Sequence, residues 1–97
     1  VTDPFESSTL NRRFHFALYQ PCGSPRLLKI IGSLFDEVLR VAHVNISDQL
    51  GNTQAQREHK RIWVSCRNGD ADQAAQRLHA HIERSRMSLL KLLAEQV

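Results

Sequence analysis

Four stretches of helical periodicity, separated by helix-breaking residues, constrain the fold of this 97-residue sequence more than any other feature. The first stretch predicts a helix over residues 5–20. Its apolar residues recur at the i, i+4, i+7 and i+8 spacing that places side chains on one face of a helix. These residues are Leu10, Phe14, Ala17 and Leu18.

The segment "PCGSP" (21–25) separates the first helix from the second. Its prolines and glycine interrupt helical hydrogen bonding. Ser24 is a suitable N-cap, and Pro25 suits the first helical position, where the N–H group needs no partner. The second helix is predicted over about 25–46, apolar around much of its girth, and "SDQLGN" (47–52) is a predicted turn.

Two more helices complete the prediction, over 53–67 and over 71–95, joined by "NGD" (68–70). Gly69 allows the positive φ that ends a helix, and Asp70 is expected to cap the last helix. The predicted stripe of the third helix is Ala55, His59, Ile62 and Cys66. That of the fourth is Ala71, Ala75, Leu78, Ile82, Ser85, Leu89 and Leu93. The sequence therefore predicts an all-α fold, an antiparallel bundle of about four helices in one domain.

Bulk properties exclude several classes of protein. No apolar run reaches the roughly 18 residues of a membrane span, and residues 1–11 lack the pattern of a signal peptide. The formal charge of +3 is spread along the chain, so direct nucleic-acid binding is not expected. Cys22 and Cys66 form no CxxC pair, which favours a reducing, cytoplasmic location.

Three of the predicted helices each direct one histidine toward the interior. On a helical wheel of ~100° per residue, His59 lies at the centre of its stripe and His81 at the edge of its own. His15 and Asn11 lie one turn apart at the edge of the first stripe. His79 faces away from His81 and is expected in solvent, whereas the direction of His43 stays open.

Two interpretations of these inward histidines remain open. Each imidazole can be a core residue bonded to a backbone carbonyl or another side chain, since an unpaired polar group is costly to bury. Alternatively, the imidazoles meet at one metal ion, as in many bundle cores. Imidazole suits zinc, nickel, copper or cobalt, and an amide oxygen is a weak additional ligand.

Two segments resemble a known family. "EHKRIWVSCRNGDADQAAQRLHAHI" (58–82) resembles the pattern EHxxIxxAxxxGDxxxAxxxxxxHI, and "NRRFHFALYQPCGSPRLLKII" (11–31) resembles (D/N)xxFHxxLxxxxGNPxLxxxI. Both patterns belong to the C-terminal effector-binding domain of GntR-type bacterial transcription regulators, in the FadR-like (FCD) branch. The resemblance covers nearly the whole chain, with the two motifs in the expected order and spacing.

The resemblance implies a helical domain that senses a small organic acid and helps the regulator to dimerise. In metal-binding members the ligands are an Asp and a His four residues apart, followed by two histidines. These positions correspond to Asn11, His15, His59 and His81. Asn11 replaces the charged Asp, and Ser24 replaces the Asn of "GNP". The family has two earlier helices and a winged helix-turn-helix domain that these 97 residues do not include, so we expect a partial domain whose DNA contacts lie elsewhere.

We therefore expect no enzyme, but a homodimeric sensor that binds a divalent metal and a carboxylate. Zinc is the expected metal, with nickel or another transition metal as alternatives. A metallohydrolase using Glu58 as base is a weaker alternative, because Glu58 is rotated ~100° from His59 and is expected in solvent. A metal-free dimerisation domain with core histidines is the main alternative. Arg84 is expected on a solvated face, and Cys66 and Trp63 in the core or a subunit interface.

Overall fold

The computed structural model describes residues 4–42 and 53–95, and every regular element in these ranges is helical. The elements are helix α1 (Pro4–Tyr19), a 3-10 turn (Gln20–Cys22), and helices α2 (Pro25–Ala42), α3 (Thr53–Arg67) and α4 (Ala71–Glu95). The predicted all-α fold is confirmed. The predicted end of the second helix (43–46) and the predicted turn (47–52) lie outside the described residues.

The helix ends follow the capping chemistry of the sequence. The backbone N–H of Leu27 donates to Ser24 Oγ at 3.2 Å, so Ser24 caps α2. The N–H of Gln73 donates to Asp70 Oδ1 at 3.0 Å, which caps α4 in the same way. Gly69 has a φ of 73°, a left-handed conformation that suits glycine at the end of α3.

The chain divides into two compact units, Val1–Leu50 and Gly51–Val97. In the N-terminal unit, α1 and α2 run antiparallel, since Arg12 lies beside Asp36 (3.7 Å) while Phe16 lies beside Gly32. A Cβ on Gly32 would lie 3.1 Å from Arg12 Nη2 and 3.6 Å from Phe16 Cζ. The missing side chain of Gly32 therefore allows the two helices to approach closely.

The C-terminal unit is a helical hairpin of α3 and α4. Its contacts run in opposite directions along the two helices, with Ser65 beside Gln73 and His59 beside His81. Ala55 and Ile62 of α3 are almost fully buried, each at 1% exposure. These two aliphatic side chains are the buried hydrophobic residues of the described chain.

A line of polar contacts joins the two helices of the hairpin. Ser65 Oγ lies 3.1 Å from Gln73 Oε1 and accepts a hydrogen bond of 2.9 Å from Arg77 Nη1. Arg77 Nη1 also donates to the carbonyl of Arg61 at 3.0 Å. Further along, Glu58 contacts both His81 and Arg84. We call this line the polar seam, formed by Glu58, Ser65, Gln73, Arg77, His81 and Arg84.

The polar seam rotates the buried faces away from the predicted apolar stripes. Cys66 was predicted to be buried, but it is exposed and Ser65 takes its place with no exposed area. Ile82 is 44% exposed, whereas its neighbour His81 is 5% exposed. Trp63 is likewise 49% exposed in the single chain. The stripe predictions were wrong at Cys66 and Ile82, because Ser65 and His81 make side-chain contacts across the hairpin instead. A place for Trp63 in a subunit interface stays a prediction.

Helix α1 shows a similar shift. Leu10 and Ala17 were predicted in the buried stripe, but Leu10 is 55% exposed and Ala17 is also exposed. Asn11 and His15 are buried instead.

None of the helices in the described ranges has the length and apolar character required to cross a membrane.

Candidate metal centre

Asn11 and His15 form the N-terminal part of the candidate site. They lie four residues apart on α1, which places both side chains on one side of the helix. Their exposures are 7% and 4%. The amide oxygen of Asn11 is buried and has no hydrogen-bond partner among the residues that the structure describes. A buried acceptor without a partner costs about 1–3 kcal/mol, which a bound cation would offset.

Aromatic side chains surround His15 within the same unit. Its ring lies 5.6 Å from the ring of Phe14 and 5.7 Å from that of Phe35, measured between centroids. The Tyr19 hydroxyl lies 3.4 Å from His15 Nδ1. Burial raises the pKa of Tyr19, so the phenol stays protonated at neutral pH. A protonated phenol can donate, so the contact with Tyr19 uses the Nδ1 side of the His15 ring.

His59 and His81 form the C-terminal part of the candidate site. Their Nε2 atoms lie 3.2 Å apart, and both side chains are buried, at 8% and 5% exposure. Two nitrogen ligands of a tetrahedral zinc ion, each ~2.0–2.1 Å from the metal, lie about 3.3 Å from one another. The separation of these two atoms is thus close to that of two ligands of one ion.

The environment keeps His59 in the neutral form that a metal requires. Burial lowers its pKa to about 4, and the charge of Arg84, together with that of His81 whenever its ring is protonated, acts in the same direction. The charge of Glu58 opposes them and does not reverse the shift. Metal ligands must be deprotonated at the coordinating nitrogen, and a neutral imidazole can meet this requirement without releasing a proton to solvent.

Glu58 connects His81 to Arg84. Its Oε1 lies 2.6 Å from His81 Nδ1, and its Oε2 accepts a hydrogen bond of 2.6 Å from Arg84 Nε. Burial alone raises the pKa of Glu58, but the hydrogen bonds from Arg84 and His81 and their charges outweigh it and lower the pKa overall. Glu58 is therefore ionised at neutral pH and accepts from both partners.

The sequence did not predict these roles for Glu58 and Arg84. Both were expected in solvent, yet the exposure of each side chain is 20%. The helical wheel treats each helix alone, whereas the partners of Glu58 lie on α4, 23 and 26 residues away. Two features of the sequence could have indicated these roles. Glu58 is adjacent to His59 in the chain, and Arg84 follows His81 by about one helical turn.

The predicted ligand positions are described here within each unit of the chain. Asn11 and His15 lie on one side of α1. His59 and His81 contact each other through their Nε2 atoms. His79 is exposed, as predicted, and His43 lies outside the described residues. A buried amide oxygen without a partner among the described residues and buried imidazoles fit a divalent transition metal.

A family model described as "FCD domain" matches residues 1–84. This class is a regulatory, ligand-sensing domain of transcription factors and is not a family of enzymes. The chain belongs to the FCD family, the C-terminal effector-binding domain of GntR-family regulators. No curated protein and no solved structure was found to match the chain.

Proposed function

We propose that this chain is the ligand-sensing and dimerisation domain of a FadR-like GntR-family regulator, and that it binds one divalent metal. The proposed ligands are Asn11, His15, His59 and His81. Family membership supports the sensing role. The observation that carries the metal site is the 3.2 Å separation of two buried imidazole nitrogens, His59 Nε2 and His81 Nε2.

The charge of the proposed site favours an anionic effector. All four ligands are neutral, because Asn11 replaces the carboxylate that the family pattern has at this position. A bound divalent ion would supply uncompensated positive charge and coordination positions open to a further ligand. A small organic acid suits these positions through its carboxylate. Zinc is the metal we expect, because it accepts imidazole and oxygen ligands, and nickel is the alternative.

A bound metal and its effector would act on the conformations that the chain adopts. An effector then shifts the equilibrium between conformations by its difference in affinity for them, and by no more than that difference. In the proposed regulator, DNA is contacted only by the winged helix-turn-helix domain that this family joins to the FCD domain. We propose a homodimer in the cytoplasm without a membrane partner.

A metal-free helical dimerisation domain is the second candidate. The 3.2 Å distance between His59 and His81 also suits an N–H···N hydrogen bond, and Glu58 binds the other nitrogen of His81. In this alternative the histidines are core residues that satisfy one another, and the domain has no metal-dependent ligand.

Zinc titration followed by carboxylate titration distinguishes the two candidates. The chain is stripped with EDTA and titrated calorimetrically with zinc, and the loaded and stripped proteins are then titrated with succinate and lactate. We expect one zinc per chain, and carboxylate binding only after zinc loading. His79→Ala, which alters an exposed histidine of α4, is the matched control and should behave like the wild type. Absence of zinc binding by the wild type would favour the metal-free candidate.

A further inference from the structure

The contact between Glu58 and His81 assigns a proton within the candidate site. An ionised carboxylate can only accept hydrogen bonds, so the 2.6 Å contact requires the proton on His81 Nδ1. A neutral imidazole protonated at Nδ1 has its lone pair at Nε2. This Nε2 is the atom that lies 3.2 Å from His59 Nε2.

We infer that Glu58 is a positioning residue, which holds His81 in the Nδ1-protonated tautomer and so directs the Nε2 lone pair into the site. The effect of Glu58 on metal binding rests on the proposed function. The contacts that support the inference all lie within the C-terminal hairpin. Carboxylates that bind the distal nitrogen of a metal-ligating histidine fix its ring orientation and raise its basicity.

Arg84 keeps the carboxylate of Glu58 in place. It binds the second oxygen at 2.6 Å, so rotation of the carboxylate away from His81 would also break the contact with Arg84. His81 and Arg84 lie one turn apart on α4, and Glu58 approaches them from α3. Each oxygen of Glu58 thus has its own donor, which is the arrangement that fixes a planar group most strongly.

The tautomer of His81 also determines which ring donates when no metal is bound. With His81 Nε2 as an acceptor, the 3.2 Å contact is a hydrogen bond only if His59 donates its Nε2–H. Metal binding then requires His59 to move its proton to Nδ1, while His81 is already in its binding tautomer. Glu58 therefore holds His81 in its binding tautomer, whereas His59 has to change tautomer when a metal binds. The number of protons on the two rings stays the same.

Ring-nitrogen chemical shifts in the stripped protein test this inference directly. ¹⁵N-labelled wild type, Glu58→Ala, Glu58→Gln and Glu83→Gln are measured by NMR in EDTA at pH 8. Glu83 is the matched control, because it is another glutamate of the same hairpin and pairs with the exposed Arg86 at 3.1 Å. We expect a protonated Nδ1 on His81 in the wild type and in Glu83→Gln, and a mixture of tautomers in both Glu58 variants.

Zinc affinity, measured by competition with a chelator, provides the second readout. We expect Glu58→Ala to lower the affinity about 10- to 100-fold and Glu83→Gln to leave it unchanged. Glu58→Gln keeps the side-chain volume, so it serves if Glu58→Ala does not fold, as judged by circular dichroism.

The two readouts separate failure of this inference from failure of the metal site. If His81 is protonated at Nε2 in the wild type, or keeps its Nδ1 proton in the Glu58 variants, the inference is overturned. Equal zinc affinity in Glu58→Ala and Glu83→Gln also overturns it. If the wild type binds no zinc, the proposed function fails, while the NMR measurement in EDTA still decides the role of Glu58.

Discussion

Arg77 Nη1 donates a hydrogen bond of 2.9 Å to the hydroxyl of Ser65, which has no exposed area. The same Ser65 hydroxyl lies 3.1 Å from Gln73 Oε1. These contacts lie near the turn of the C-terminal hairpin, where α3 ends and α4 begins. A buried hydroxyl with several partners stabilises the structure mainly because its loss leaves those partners unsatisfied.

Ser65→Ala should lower the free energy of unfolding by about 1–2 kcal/mol, since Arg77 and Gln73 lose a buried partner. Urea denaturation followed by circular dichroism measures the change. Ser33→Ala is the control, because Ser33 Oγ makes a bond of 3.1 Å to the carbonyl of Lys29 at an exposed position. The control should change stability by less than about 0.5 kcal/mol. Equal effects of the two substitutions would contradict a specific role for the polar seam.

Asp70→Ala should remove the N-cap of α4 and cost about 1 kcal/mol of stability. The carboxylate of Asp70 accepts from the N–H of Gln73 at 3.0 Å, and alanine has no acceptor to replace it. Asp70→Asn keeps a side-chain oxygen and should be nearly neutral. Thermal melting of the three proteins compares them, and a melting temperature of Asp70→Asn as low as that of Asp70→Ala would show that capping is not the cause.

His59→Ala should abolish stabilisation by zinc. If zinc binds only the folded chain, a free concentration of 100 times Kd adds about 2.7 kcal/mol to the free energy of unfolding. Melting temperatures in EDTA and in zinc are measured for the wild type, His59→Ala and the exposed control His79→Ala. The control should gain as much from zinc as the wild type does. A zinc-dependent rise in His59→Ala equal to that of the wild type would exclude His59 as a ligand.

The stripped protein should lose stability as the pH falls from about 6.5 towards 4. The pKa of His59 is about 4 in the folded chain, against the ordinary value of 6.5 for an imidazole in the unfolded chain. Between these values the unfolded chain binds a proton that the folded chain does not, so lower pH favours unfolding. The loss attributable to His59 approaches about 3 kcal/mol at the lower end, from ~1.4 kcal/mol per pKa unit.

Urea denaturation in EDTA at several pH values measures this dependence. His59→Gln removes the titrating group, so its stability should vary less between pH 6.5 and 4 than that of the wild type. The pKa of Glu58 is also lowered on folding, and its contribution is lost only at a lower pH, below about 4.5. A slope above pH 5 that is identical in His59→Gln and the wild type would show that another group is responsible.

Local chemistry was sufficient to predict the helix ends. Ser24, Gly69 and Asp70 each act within a few residues of the chain, so the sequence contains both the capping residue and its target. The inward direction of His59 and His81 was also predictable, because helical periodicity places them near the apolar faces. The exposed position of His79 followed from the same geometry.

Contacts between helices were not predictable from the wheels. The wheel method assumes that apolar side chains face the partner helix, and this assumption placed Cys66 and Ile82 inside. In the structure Cys66 and Ile82 are exposed, whereas Ser65, which the wheel did not place in the stripe, is buried because Arg77 and Gln73 of the other helix contact its hydroxyl. Glu58 illustrates the same limit, since its role depends on side chains that are adjacent only after the hairpin forms.

The polar seam also determines whether the two helices of the hairpin can slide along one another. Hydrogen bonds depend on direction, and sliding one helix along the other by a single turn, about 5.4 Å, would break the bonds of Ser65, Arg77 and Glu58 together. Apolar interfaces between helices tolerate sliding of one helix along the other, because one aliphatic contact readily replaces another. These hydrogen bonds thus fix the register of α3 against α4, so the two helices would tilt or translate together as one rigid element.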